Sequence, residues 1–186
     1  QVYGGHGFIQ EWGMEQLVRD TRISTLYEGT TGIQALDLLG RKVMMSQGQS
    51  LKNFTKIIHT FCKEHANNEE MAPYTAKLSE LIKEWGDLTT KVGMSAMKDR
   101  DEVGSASVDY LMYSGYVTLA YLWALMAKEA QDKLAAGTSE EDFYKAKIAT
   151  ARFYFTRILP RTLSHAETMV AGADTLMDLD AEHFAF

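Results

Sequence analysis

The sequence predicts an all-α fold, an antiparallel bundle of helices, and three observations carry that expectation. Apolar residues recur three and four positions apart along most of the 186 residues. Nowhere do four to eight residues alternate apolar and polar, as a half-buried strand would. Only two prolines interrupt the pattern, and both stand where a helix tolerates or ends at one.

Glycines at 4, 5 and 7 mark an opening loop, after which Met14, Leu17, Val18 and Thr21 begin a helix expected to end near Leu26. Past the corner at Glu28 and Gly29, Thr30 or Thr31 caps a new helix with Ile33, Leu36, Leu39, Val43 and Met44 as its apolar positions, and Gly48 breaks it. Leu51, Phe54, Ile57, Ile58, Phe61, Cys62 and His65 make the next helix, with the polar run 66–70 as its turn. Pro73 suits the first turn of a partner helix whose buried stripe is Leu78, Leu81, Ile82, Trp85, Leu88 and Val92. The charged run "KDRDE" then leads into a long apolar helix ending at Gly137. Thr138 and Glu141 have the spacing of a capping box, opening a last long helix that bears Phe143, Ile148, Ala151, Phe155, Ile158 and Leu159. Pro160 is expected to kink or divide that helix. The best candidate boundary is "SQGQS", giving expected domains at 1–46 and 47–186; its brevity implies that the two pack together.

Composition excludes several functions. A formal charge of −6 without a basic stripe argues against a nucleic-acid partner. Residues 110–127 carry no formal charge, about the length at which a membrane span becomes a candidate. Their content of Tyr110, Tyr113, Ser114, Tyr116, Thr118 and Tyr121, with no basic cluster to set an orientation, favours the central buried helix of a bundle instead. The ten methionines are expected as core filler. The single cysteine, Cys62, rules out an internal disulfide and fits a reducing compartment. In "HTFCKEH", His59, Cys62 and His65 step by three, so the outer two diverge around a helix; no metal site is expected, and Cys62 reads as core. His165 and His183 lack a partner pattern in sequence. The chain starts with Gln1, without a charged leader or apolar signal segment, and is expected to be part of a larger protein.

One corner has two readings. In "STLYEGTTGIQAL", residues 24–36, Glu28 sits between an aromatic residue and a glycine. It is either a solvated loop carboxylate favoured by the positive end of the following helix, or a general base tuned by an aromatic, partly dry surrounding, with Gly29 admitting a ligand close to the backbone. Spacing alone leaves both open.

Three motifs in order add to this. Gln1, Gly4, Gly5 and Gly7 form a Q-x-x-G-G-x-G turn; Arg19, Asp20 and Ile23 an R-D-x-x-I helix; Tyr27, Glu28, Gly29 and Thr30 a Y-E-G-T corner. Together, over about the first 45 residues, they closely resemble the C-terminal stretch of the acyl-CoA dehydrogenases, flavoenzymes that introduce a 2,3 double bond into acyl-CoA thioesters. The resemblance implies that Glu28 removes the α-proton while its backbone N–H helps hold the thioester carbonyl oxygen, with Gly29 beside the substrate. It implies that Gln1 and Gly5 approach the adenine-diphosphate portion of an FAD bound mainly to a neighbouring subunit, and that Thr30 touches the same cofactor near the base. Gly32 departs from the glutamine of many shorter members, so a side-chain contact to FAD is lost there. Arg19 and Asp20 are expected to hold their helix rather than to take part in chemistry. The later part, including "KIATARFYFTRILPR" and "AGADTLMDL", resembles the extra helical domain of the long bacterial members, with packing and subunit association as its implied role. An acyl-CoA substrate, electron-transfer flavoprotein as acceptor, a homo-oligomer and a bacterial cytoplasmic setting follow as expectations. The rival expectation is a non-catalytic helical association module of an acyl-CoA dehydrogenase-like protein.

Overall fold

The computed structural model describes every residue except Glu28, Ala185 and Phe186. It divides into two units, Gln1–Gln34 and Ala35–Phe186, and among the described residues every regular element is helical, as the apolar spacing predicts.

In the first unit, short 3-10 turns at Gly4–Gly7 and Gln10–Trp12 lead to α1 (Met14–Arg22) and α2 (Ser24–Tyr27); α3 follows at Thr31–Leu36. None of this unit's described residues is buried.

The second unit carries the core. A π-helical segment, Asp37–Met44, precedes α4 (Gln49–Glu64), α5 (Ala72–Ala96), α6 (Asp101–Ala136) and α7 (Glu141–Phe153). A π turn at Tyr154–Ile158 and a 3-10 turn at Leu159–Arg161 follow, then α8 (Thr162–Thr168) and α9 (Asp174–Met177). α4 packs on α5, α5 on α6, and α6 on α7, α8 and the first π segment. Trp85 of α5 ties three helices together, with ring centroids 6.2 Å from Phe54, 6.3 Å from Tyr110 and 6.2 Å from Tyr113. The stripe expected on α5 is the one that turns inward: Leu78, Leu81, Trp85, Leu88 and Val92 are buried.

The polar content of residues 110–127 is accounted for inside the protein. The Tyr113 hydroxyl donates to Glu84 Oε2 at 2.7 Å, Tyr110 pairs with Thr89 Oγ1 at 2.9 Å, and Ser114 Oγ donates to the Tyr110 carbonyl at 2.6 Å. Among the described residues no helix is long and apolar enough to cross a membrane.

Several expectations require correction. The helix expected to run unbroken from Thr31 to Gly48 changes winding at Asp37, where Met45 N–H bonds back to Gly40 and Gly48 N–H to Val43, each five residues earlier. Leu39 and Val43 thereby face the core, whereas Ile33 and Leu36 are exposed. Thr138 does not open a capping box: its Oγ1 accepts the N–H of Glu140 at 3.1 Å, a local turn, and α7 starts only at Glu141. Of the ten methionines only Met71 and Met169 are buried and Met44 packs partly buried against the core, so core filling accounts for a minority of them. Finally, α6 is not buried all round, because one stripe along it faces solvent. Pro160 divides the last helix as expected; lacking an N–H and clashing with the preceding turn, it sits between the π turn and α8.

Candidate active-site corner

The first candidate element is the glycine turn. Gly4 at φ +57° donates its N–H to the Gln1 carbonyl at 3.0 Å, and Phe8 closes the turn onto Gly5 at 3.2 Å. A Cβ on Gly4 or Gly5 meets no atom within 4 Å, so the backbone of this turn is open to close approach. His6 packs edge-on against Trp12 at 5.9 Å, and Gly13 at φ +68° turns the chain into α1. Residues 7–10 form one side of a groove of about 520 Å³, and Glu15, Val18 and Arg19 of α1 form the other.

Arg19 and Asp20 serve their helix. Arg19 Nε lies 2.6 Å from Glu15 Oε2, and Gln16 Nε2 donates to Asp20 Oδ1 at 2.8 Å, both one turn apart. The hydrogen bond and charge of Glu15 hold the Arg19 guanidinium above its ordinary pKa. Hydroxyls then interrupt the helix. Thr21 Oγ1 donates to the Leu17 carbonyl, Ser24 Oγ to Thr21 and Thr25 Oγ1 to Arg22, at 2.6, 2.7 and 2.8 Å. Side chains that bond back to carbonyls compete with helical pairing, and α1 gives way to α2 at Ile23.

The corner follows. Tyr27 is exposed; Glu28, the expected base, lies outside the described residues. Gly29 takes φ +89°, a conformation that favours glycine, and a Cβ there falls 3.0 Å from Gln34 Nε2, so the end of that side chain would have to give way. The Thr30 carbonyl accepts the Gln34 N–H at 3.0 Å as α3 begins. Thus Gln1 and Gly5 share one turn, while Gly29 and Thr30 share another on the far side of α1 and α2 along the chain.

In the second unit, Cys62 is buried, which pushes its thiol pKa up against an opposing contact from Ser79. His59 is exposed on the same helix, and no cluster of metal-ligating side chains occurs among the described residues. One contact escaped sequence reasoning. His165 Nδ1 lies 2.8 Å from Asp109 Oδ1, and its ring stacks on Tyr116 at 5.6 Å. Asp109 is 56 residues away in the chain, and no local spacing signals the pairing.

Comparison with known proteins agrees with the motifs. The model for "Acyl-CoA dehydrogenase, C-terminal domain" matches residues 1–44, and "Acetyl-CoA dehydrogenase C-terminal like" matches residues 54–180, more than half of the chain. The chain belongs to the acyl-CoA dehydrogenase family. It is 32% identical to the broad-specificity linear acyl-CoA dehydrogenase FadE5 of Mycobacterium tuberculosis, over 99% of this chain and 31% of that protein. It is 33% identical to the 3-methylmercaptopropionyl-CoA dehydrogenase of Ruegeria pomeroyi, over 95% of this chain and 30% of the relative. A butyryl-CoA dehydrogenase of Syntrophomonas wolfei is 29% identical over 98% of this chain and 30% of its own length. The chain therefore spans about three-tenths of these acyl-CoA dehydrogenases, corresponding to their C-terminal part.

Proposed function

We propose that the chain is the C-terminal portion of an FAD-dependent acyl-CoA dehydrogenase that introduces a 2,3 double bond into acyl-CoA thioesters, with residues 1–46 bearing the catalytic corner and 47–186 a helical extension. The observation that carries this reading is the Y-E-G-T corner inside a family-matched segment, with its glycine held at φ +89°.

Each residue has a task in this reading. The Glu28 carboxylate takes the α-proton of the thioester. Such a proton is too weakly acidic for a carboxylate unless charge growing on the carbonyl oxygen is held, and the Glu28 backbone N–H is one donor for it; a donor of this kind is worth about 3 kcal/mol. Gly29 lets the substrate approach the backbone without meeting a side chain. Gln1, Gly5 and Thr30 hold the flavin cofactor. All three are exposed, and the open face of the glycine turn fits a group that must lie against backbone. FAD, when bound, supplies the acceptor for the hydride that leaves the β-carbon. Electron-transfer flavoprotein then takes the electrons from a homo-oligomeric enzyme in the bacterial cytoplasm.

The test is Glu28→Gln in the full-length protein. Removal of a general base is expected to lower kcat by about 10²–10⁴-fold, while the yellow flavin absorbance stays. Wild-type turnover in this variant removes Glu28 from the mechanism.

A further inference from the structure

From Gly104 to Met126, every solvent-exposed residue of α6 is apolar or glycine. Six of these eight residues, Val108, Met112, Gly115, Leu119, Leu122 and Met126, form one seam at alternating steps of four and three, the repeat that keeps one face of a helix against another, with Gly104 one step before it and Leu125 on its flank. The five side chains with carbon beyond Cα are 37–46% exposed, and the seam is about 27 Å long. An unbroken apolar stripe of this length is a surface built to be covered. Beside it lies an apolar hollow of about 420 Å³, bordered by Gly115 and Leu119 and floored by Phe54 and Trp85.

We propose that this seam is a docking surface for the α6 of a second copy of the same chain, packed antiparallel about a twofold axis at Val117. The register of the seam selects that occupant. Around residue 117 the positions pair as Gly115 with Leu119, Met112 with Leu122, and Val108 with Met126, so a gap in one helix meets a large side chain of the other. One repeat further out, at either end of the seam, stand Asp101 and Lys133, both exposed. The antiparallel pairing brings these opposite charges together at both ends. A parallel pairing instead sets Gly115 against Gly115, Asp101 against Asp101 and Lys133 against Lys133, leaving a void and two repulsions. Lys133 Nζ lies 3.5 Å from Glu129 Oε1 of its own helix, an exposed contact that it can exchange at little cost. The interface is isologous and therefore closes at two copies. It is independent of any role for Glu28.

The test is oxidative cross-linking of Met112→Cys, Leu122→Cys and the double variant in the full-length protein, with wild type as background. In an antiparallel pair the thiol introduced at position 112 faces the one introduced at position 122 of the other copy. Like positions lie about 15 Å apart along the axis, and the same spacing forbids a bond within one helix. The double variant is expected to give a reducible covalent dimer at least about tenfold more abundant than either single variant. Equal cross-linking in a single variant, or none in a double variant with wild-type helicity, overturns the proposal; the second result assigns the seam to another part of the same molecule. Charge exchange gives an independent reading. Asp101→Lys and Lys133→Asp are each expected to weaken dimerisation a few-fold in sedimentation equilibrium, and together to restore it. A double exchange no better than the singles also overturns the antiparallel register.

Discussion

At φ +89°, Gly29 holds a backbone conformation that a side chain resists, with a Cβ position 3.0 Å from Gln34 Nε2. Alanine there costs about 1–2 kcal/mol for a left-handed backbone and must also displace the Gln34 amide. Gly29→Ala is therefore expected to shift the corner rather than unfold the molecule, because none of the described residues of its unit is buried. Misplacing a base by about 1 Å can cost about 100-fold in rate. In the full-length protein kcat/KM for an acyl-CoA should thus fall by about 10–100-fold with the melting temperature nearly unchanged. A variant with full activity would show that the corner does not need this conformation.

The helices differ in how much of them is written locally. α4 and α5 are legible because their core contacts, Leu51, Ile58, Phe61 and Cys62 on one and the Leu78–Val92 stripe on the other, repeat at helical spacing against helices that adjoin them in the chain. The π segment is not. Its wider winding goes with Leu39 and Val43 turning into the core, where the segment packs chiefly on α6, far along the chain. Thr138 misleads for the reverse reason, since its hydroxyl finds a nearer N–H at Glu140 before the helix begins. At the candidate site the residues of all three motifs are readable, but spacing does not decide between a loop carboxylate and a base; a carboxylate becomes a base through the ligand beside it. α1 has nine residues and α2 four, shorter than the roughly 12–15 at which an isolated helix becomes marginal in water. A peptide of residues 1–34 is accordingly expected to show little helix by circular dichroism. A strongly helical spectrum would mean that this segment is held by its own sequence rather than by packing.

Buried phenols, Tyr74, Tyr110, Tyr113 and Tyr154, make the stability of the second unit fall at alkaline pH. Burial raises the pKa of Tyr110 and Tyr113, the latter far up with the Glu84 carboxylate adding to the effect, and pushes Tyr154 up to about 12, with Tyr116 contributing. A phenol in the unfolded chain loses its proton near pH 10. Between about 10 and 12 the unfolded state therefore sheds protons that the folded state still holds, so stability present in full below pH 10 is lost as pH rises. For Tyr154 alone the loss by about pH 12 is roughly 2–3 kcal/mol. Its hydroxyl donates to the Tyr116 carbonyl at 2.9 Å and joins the π turn to α6, and the Tyr110 and Tyr113 hydroxyls join α5 to the same helix. Ionisation thus removes donors that hold α6 from two sides. Thermal melts are expected to show a stability plateau ending near pH 10 and a steep fall above it, shallower in Tyr154→Phe because one of the titrating groups is gone. A melting temperature that stays level to pH 12 would mean that these phenols reach solvent and ionise in the folded protein as freely as in the unfolded chain.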